Sequence, residues 1–142
     1  MKIICIHPEC ELRSKTIDKK IRILIVEDEY LIALSFKREL EHIGYDVIEP
    51  VASGQAAVNA ASQEHPDIIL MDMSLAGEIS GIEAARSITT QHKIPIIFMT
   101  GHSDEKTLEP INQLNPVACI IKPLVGKQIH LEIEKYFKNK NQ

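Results

Sequence analysis

The sequence predicts a doubly wound α/β domain, a five-stranded parallel sheet with helices on both faces. Two observations carry that expectation. Five short runs rich in Ile, Val and Leu recur along the chain, and each is followed by a segment with apolar residues at helical spacing. Strands buried on both faces read as continuous apolar runs, and strand–helix alternation joins parallel neighbours through right-handed crossovers.

Taken in order, Ile21 to Val26 is a β-branched run that ends in charge, the pattern of a first strand in the middle of such a sheet. From Tyr30 onward Ile32, Phe36, Leu40 and Ile43 mark a helix, and Gly44 stands where a left-handed cap favours glycine. Val47 to Val51 reads as the second strand, and Ser53 as the N-cap of a helix running to about Gln63. Ile68 to Met71 follows Pro66 as the third strand. A loop from Ser74 to Ser80 leads into a helix over Gly81 to Gln91, with Ile82, Ala85 and Ile88 on one face. Pro95 opens the strand Ile96 to Met99, and Leu108 and Ile111 mark a weaker helix over Asp104 to Leu114. The strand Ala118 to Ile121 and a helix over Val125 to Lys138, with Ile129, Ile133 and Phe137 turned inward, complete the pattern. Its expected strand order is 2-1-3-4-5, flavodoxin-like.

Residues 1–20 lie outside this alternation and read as an irregular or disordered extension, so the domain is expected to span 21–140. Cys5, His7 and Cys10 fall short of the four ligands of a structural zinc site. The 142 residues suit one domain, and 44% hydrophobic with 25% charged residues is an ordinary globular composition. A net charge of −4 leaves no basic footprint for nucleic acid, and no apolar stretch approaches the ~20 residues of a membrane helix. Three cysteines make no disulfide framework, and a cytoplasmic location is expected.

In an open parallel sheet ligands bind at the carboxyl ends of the strands. Here the first strand ends in Glu27 and Asp28, the third in Asp72, the fourth in Thr100 and the fifth in Lys122, followed by Pro123. Three carboxylates at one edge repel one another unless a proton, a cation or solvent intervenes. A hard divalent ion answers that repulsion, because Mg²⁺ takes oxygen ligands and keeps waters beside one or two carboxylates. Asp28 and Asp72 are the candidate direct ligands, Glu27 a holder of metal-bound water, and the Ser74 carbonyl a further oxygen. Beside the metal, Asp72 is placed to attack phosphorus, with Lys122 and the Thr100 hydroxyl taking charge on the transferring oxygens. Any one of these residues alone would be an unremarkable strand end. Their joint placement at successive strand ends is what points to chemistry.

From Arg22 to Lys138 the chain resembles the receiver domain of two-component response regulators. The resemblance rests on Ile-Val-Glu-Asp-Glu at 25–29, Leu-Met-Asp-Met at 70–73, Gly-Ile-Glu-Ala-Ala at 81–85, Met-Thr-Gly at 99–101 and Lys-Pro at 122–123. It implies that Asp72 takes a phosphoryl group from a phosphohistidine on a sensor histidine kinase or phosphotransfer protein. Glu27 and Asp28 would serve Mg²⁺, and Thr100 and Lys122 would read the phosphoryl group. The family's aromatic switch residue, three places before the lysine, is here Cys119, whose thiol cannot fill the space of a ring. Ser74 and His102, two places beyond Asp72 and Thr100, flank the expected path of attacking water and are expected to tune the acyl-phosphate lifetime.

Other classes fit less well. A haloacid-dehalogenase-like phosphatase wants a second acid two places after the nucleophile, where this chain has Ser74. A flavin carrier wants a phosphate loop after the first strand, where Glu27-Asp28-Glu29 would repel phosphate. The expectation is a stand-alone receiver rather than a metabolic enzyme, signalling to a downstream protein through the fourth helix, fifth strand and fifth helix. A receiver module cut from a larger regulator or hybrid kinase is the alternative.

Overall fold

The computed structural model describes residues 19–75, 77–101 and 105–140, with residues 105–107 described in their backbone alone. Cys5, His7, Cys10 and His102 lie outside the described residues. Five strands, β1 (Arg22–Val26), β2 (Asp46–Val47), β3 (Ile68–Asp72), β4 (Ile96–Thr100) and β5 (Ala118–Ile121), alternate with five helices. These are α1 (Tyr30–Ile43), α2 (Gly54–Glu64), α3 (Gly81–Gln91), α4 (Glu105–Asn112) and α5 (Gly126–Lys140). The strands form one sheet in the order β2-β1-β3-β4-β5, and every pairing is parallel.

The apolar runs split by alternation into two cores. Ile23, Ile25, Ile68, Leu70, Ile97 and Met99 pack under α1 and α5, against Phe36, Leu40, Ile129 and Ile133. Leu24, Val26, Ile69, Met71, Ile96 and Phe98 face the other way, against Ala57 and Ala61 of α2, Ala84, Ala85 and Ile88 of α3 and Ile111 of α4. Small alanines on α2 and α3 let those helices lie close to the sheet, whereas α1 and α5 meet it through larger side chains.

The second strand is shorter than Val47 to Val51. Its ladder stops at Val47 and resumes as a single bridge between Val51 and Val26. Pro50 has no N–H to donate, so a continuous ladder cannot pass it, and β2 sits at the sheet edge where such a break is tolerated. Helix ends follow local chemistry. The Ser53 side chain accepts the Ala56 N–H at 3.1 Å, and Gly44 closes α1 at φ 126°. Ser80 and Glu83 form a reciprocal capping box at the start of α3. No helix among the described residues is long and apolar enough to cross a membrane.

Candidate functional site

Parallel register decides what stands beside what at the carboxyl edge. Val26 pairs with Met71, so the next residues on β1 and β3, Glu27 and Asp72, come side by side. Asp72 pairs with Met99, which sets Thr100 one step further out, and Thr100 pairs with Ile121, which delivers Lys122 at the same level. Backbone bonds lock these tips together, from Met73 N–H to the Met99 carbonyl at 3.0 Å and from Lys122 N–H to the Thr100 carbonyl at 2.7 Å.

Glu27, Asp72 and Thr100 are the buried polar residues among those described, at 2%, 1% and 1% exposure, while Asp28 is exposed. Carboxylate oxygens of Glu27, Asp28 and Asp72 all lie within 4.8 Å of one another. Lys122 reaches over them. Its Nζ stands 3.1 Å from Asp72 Oδ2 and 3.4 Å from Glu27 Oε2. The other oxygens take backbone donors, Asp72 Oδ1 the Ser74 N–H at 3.0 Å and Glu27 Oε1 the Glu29 N–H at 3.1 Å. Ser74 is exposed and meets Asp72 through its amide. The Lys122–Pro123 peptide is cis.

Among the described residues, Lys122 is the ammonium that faces the buried acids Glu27 and Asp72. Burial pushes the Glu27 carboxyl up to about 7, helped by hydrogen bonding to Asp72 and by its charge, against the pull of the Glu29 N–H and of Lys122. Burial alone would lower Lys122. The hydrogen bond and charge of Asp72, then those of Glu27, outweigh it and hold the ammonium above its ordinary value. The donor set is oxygen-rich and partly buried, which fits a hard divalent cation such as Mg²⁺.

Every residue singled out at the strand ends lies at this one edge. Cys119 sits half-buried on β5, packed against the α2–α4 core, and burial raises its thiol. Glu39 is the participant that the sequence does not reveal. It accepts the Gly126 N–H on Oε2 at 2.7 Å, just past the loop that carries Lys122. On the sequence it is one more polar residue of an amphipathic helix.

The fold is a doubly wound α/β domain with an acidic carboxyl edge, and comparison with known proteins gives the family. Residues 23–134 match the response regulator receiver domain, and the chain belongs to that family. It is 35% identical over 117 residues to the polar-differentiation response regulator DivK of Brucella ovis, covering 80% of this chain and 94% of that protein. It is 32% identical over 102 residues to the transcriptional regulatory protein PdtaR of Mycobacterium tuberculosis, covering 72% of this chain. That match takes in 49% of PdtaR, so the chain spans about half the length of that relative. Among solved structures, the signal receiver domain of a modulated diguanylate cyclase from Desulfovibrio desulfuricans G20 superimposes with a TM-score of 0.79 at 34% identity. That superposition covers 87% of this chain and 98% of that one.

Proposed function

We propose that the protein is a phosphoacceptor in a His-to-Asp phosphorelay, with Asp72 as the residue that takes the phosphoryl group. The observation that carries this reading is the buried Asp72 carboxylate, within 3.1 Å of Lys122 and clustered with Glu27 and Asp28. Glu27, Asp28, Asp72 and the Ser74 carbonyl are the groups assigned to hold Mg²⁺. The ion's contribution when bound is to offset negative charge as the phosphoryl group approaches the carboxylate.

An Asp72 carboxylate oxygen forms the new bond to phosphorus while the phosphorus–nitrogen bond of the donor phosphohistidine breaks. The imidazole nitrogen leaves with the electron pair, and an acyl phosphate remains on Asp72. Lys122, already at the Asp72 oxygen, exchanges a carboxylate partner for a phosphoryl oxygen. Thr100 offers its hydroxyl to another.

The donor is assigned to a histidine kinase or phosphotransfer protein. An apolar groove of about 640 Å³ lies between α1 and the loop after β5, lined by Leu31, Ile32, Phe36, Pro123 and Val125, and it shares Lys122 with the site. Leu31 is 77% and Val125 54% exposed, so apolar surface beside the acceptor awaits a covering partner. The output is assigned to a protein contact on α4, β5 and α5, where Ile121 and Leu131 are also exposed. A cytoplasmic setting accords with these partners.

The test is incubation of wild type and Asp72→Ala with Mg²⁺ and acetyl phosphate, followed by intact mass measurement. Wild type is expected to gain one phosphoryl group, Asp72→Ala none, and chelation of Mg²⁺ should stop the gain. A wild type that stays at its starting mass overturns the assignment.

A further inference from the structure

Glu39 lies outside the acidic edge, yet it is bonded to the segment on which Lys122 depends. Three residues, Pro123, Leu124 and Val125, separate Lys122 from the first residue of α5. One end of this short loop is fixed to the sheet by the Lys122 N–H on the Thr100 carbonyl. At the other end no loop side chain supplies a helix cap. Val125 stands in the N-cap place and has no side-chain oxygen to accept a helix-end N–H.

The missing acceptor comes from α1. Glu39 Oε2 accepts the Gly126 N–H at 2.7 Å, its other oxygen takes the Ser35 hydroxyl at 3.4 Å, and Gln128 Oε1 reaches back to the Val125 N–H at 2.8 Å. A carboxylate there also suits the positive end of the α5 dipole. Space is reserved for it, since a Cβ on Gly126 would fall 2.8 Å from the Glu39 Cβ. The absence of a side chain at 126 is what lets α1 reach the start of α5.

We propose that Glu39 is a positioning residue for Lys122: by capping α5 from α1, it holds the three-residue loop down and keeps the Lys122 ammonium over Asp72. This rests on the phosphoacceptor reading above. Without the cap the Gly126 N–H loses its partner, and the tie from α1 to the α5 end of the loop is gone. Lys122 then samples heights from which it no longer meets the oxygens transferring to Asp72, and uptake slows without any change in the acids themselves.

The full chain is tested with Mg²⁺ and acetyl phosphate, the rate of mass gain being followed for wild type, Glu39→Ala, Glu39→Gln, Lys122→Ala and Glu39→Ala/Lys122→Ala. Glu39→Ala is expected to be about fivefold slower, the size associated with a lost helix-end acceptor. Glu39→Gln, which keeps an acceptor oxygen, is expected within about twofold of wild type. The decisive comparison is the double variant. If Glu39 acts through Lys122, removing it costs nothing further once Lys122 is gone, whereas a merely structural role would slow both backgrounds alike.

Glu39→Ala at the wild-type rate, or the same fractional slowing in the Lys122→Ala background, overturns the proposal. Should Glu39→Ala lack folded-state circular dichroism, Glu39→Asp replaces it. The shorter side chain draws the carboxylate away from Gly126, a loss of about threefold is expected, and an unchanged rate overturns the proposal. A wild type that takes up no phosphoryl group refutes the phosphoacceptor reading and this proposal with it. Uptake by wild type combined with indifference to Glu39 refutes this proposal alone.

Discussion

Two ends of the same sheet each gather one basic side chain and several acids, and they do opposite things with them. At the amino-terminal end, Arg22 meets Asp46 at 3.5 Å and Glu64 at 3.1 Å, and its backbone N–H binds Asp67. Asp46 and Glu64 are about half exposed, so water shares the compensation. At the carboxyl end, Lys122 meets Glu27 and Asp72 at comparable distances, but those side chains are 0% and 2% exposed. Charge count alone does not make a site. Burial of the acids sets the second cluster apart from a surface ion pair, because the attraction and the repulsion both strengthen as water is withdrawn.

The largest effect is expected from Asp72→Asn, which keeps the shape and removes one buried charge. Phosphoryl uptake is expected to fall below detection by intact mass, and the Mg²⁺-dependent rise in the urea midpoint of wild type is expected to disappear. Lys122→Ala comes next. It is expected to slow uptake about a hundredfold, the scale of one lost electrostatic stabiliser of the transferring group. Truncation of Arg22, the corresponding cation at the far end, should leave the uptake rate unchanged.

A smaller effect separates the two ends by pH. Glu27 has its folded value raised from 4.5 to about 7, so the folded protein binds more protons than the unfolded chain between those limits. The stability this contributes is fully present below 4.5 and is lost as pH rises toward 7. Urea midpoints of metal-free protein are therefore expected to fall across that window, and to fall less in Glu27→Gln. Smallest is Arg22→Ala, expected to cost about 1 kcal/mol or less in urea unfolding because its partners are solvated.

The strand and helix order was legible because buried parallel strands are continuous apolar runs and the helices between them are amphipathic. The same legibility extended to Glu27, Asp28, Asp72, Thr100 and Lys122, since strand ends in this architecture converge on one edge. What stayed hidden was set by contacts across the chain. The end of α2 falls on His65 at φ 48°, a left-handed position with no glycine to announce it. The shortening of β2 depends on its place at the sheet edge, and Pro50 hinted at it. Glu39 was invisible because its partner is a backbone N–H 87 positions away. The raised Glu27 carboxyl likewise follows from packing depth, which spacing along the chain does not encode.

Gly81 opens α3 directly against the backbone of β3. A side chain there would run into the Asp72 carbonyl and the Met73 Cα, so nothing compressible lies between the helix and the residue that carries the charge. Most helices ride on a cushion of rotamers that absorbs small shifts of the sheet beneath them. At Gly81 helix and strand instead meet backbone to backbone, so the start of α3 is set by where the β3 tip stands.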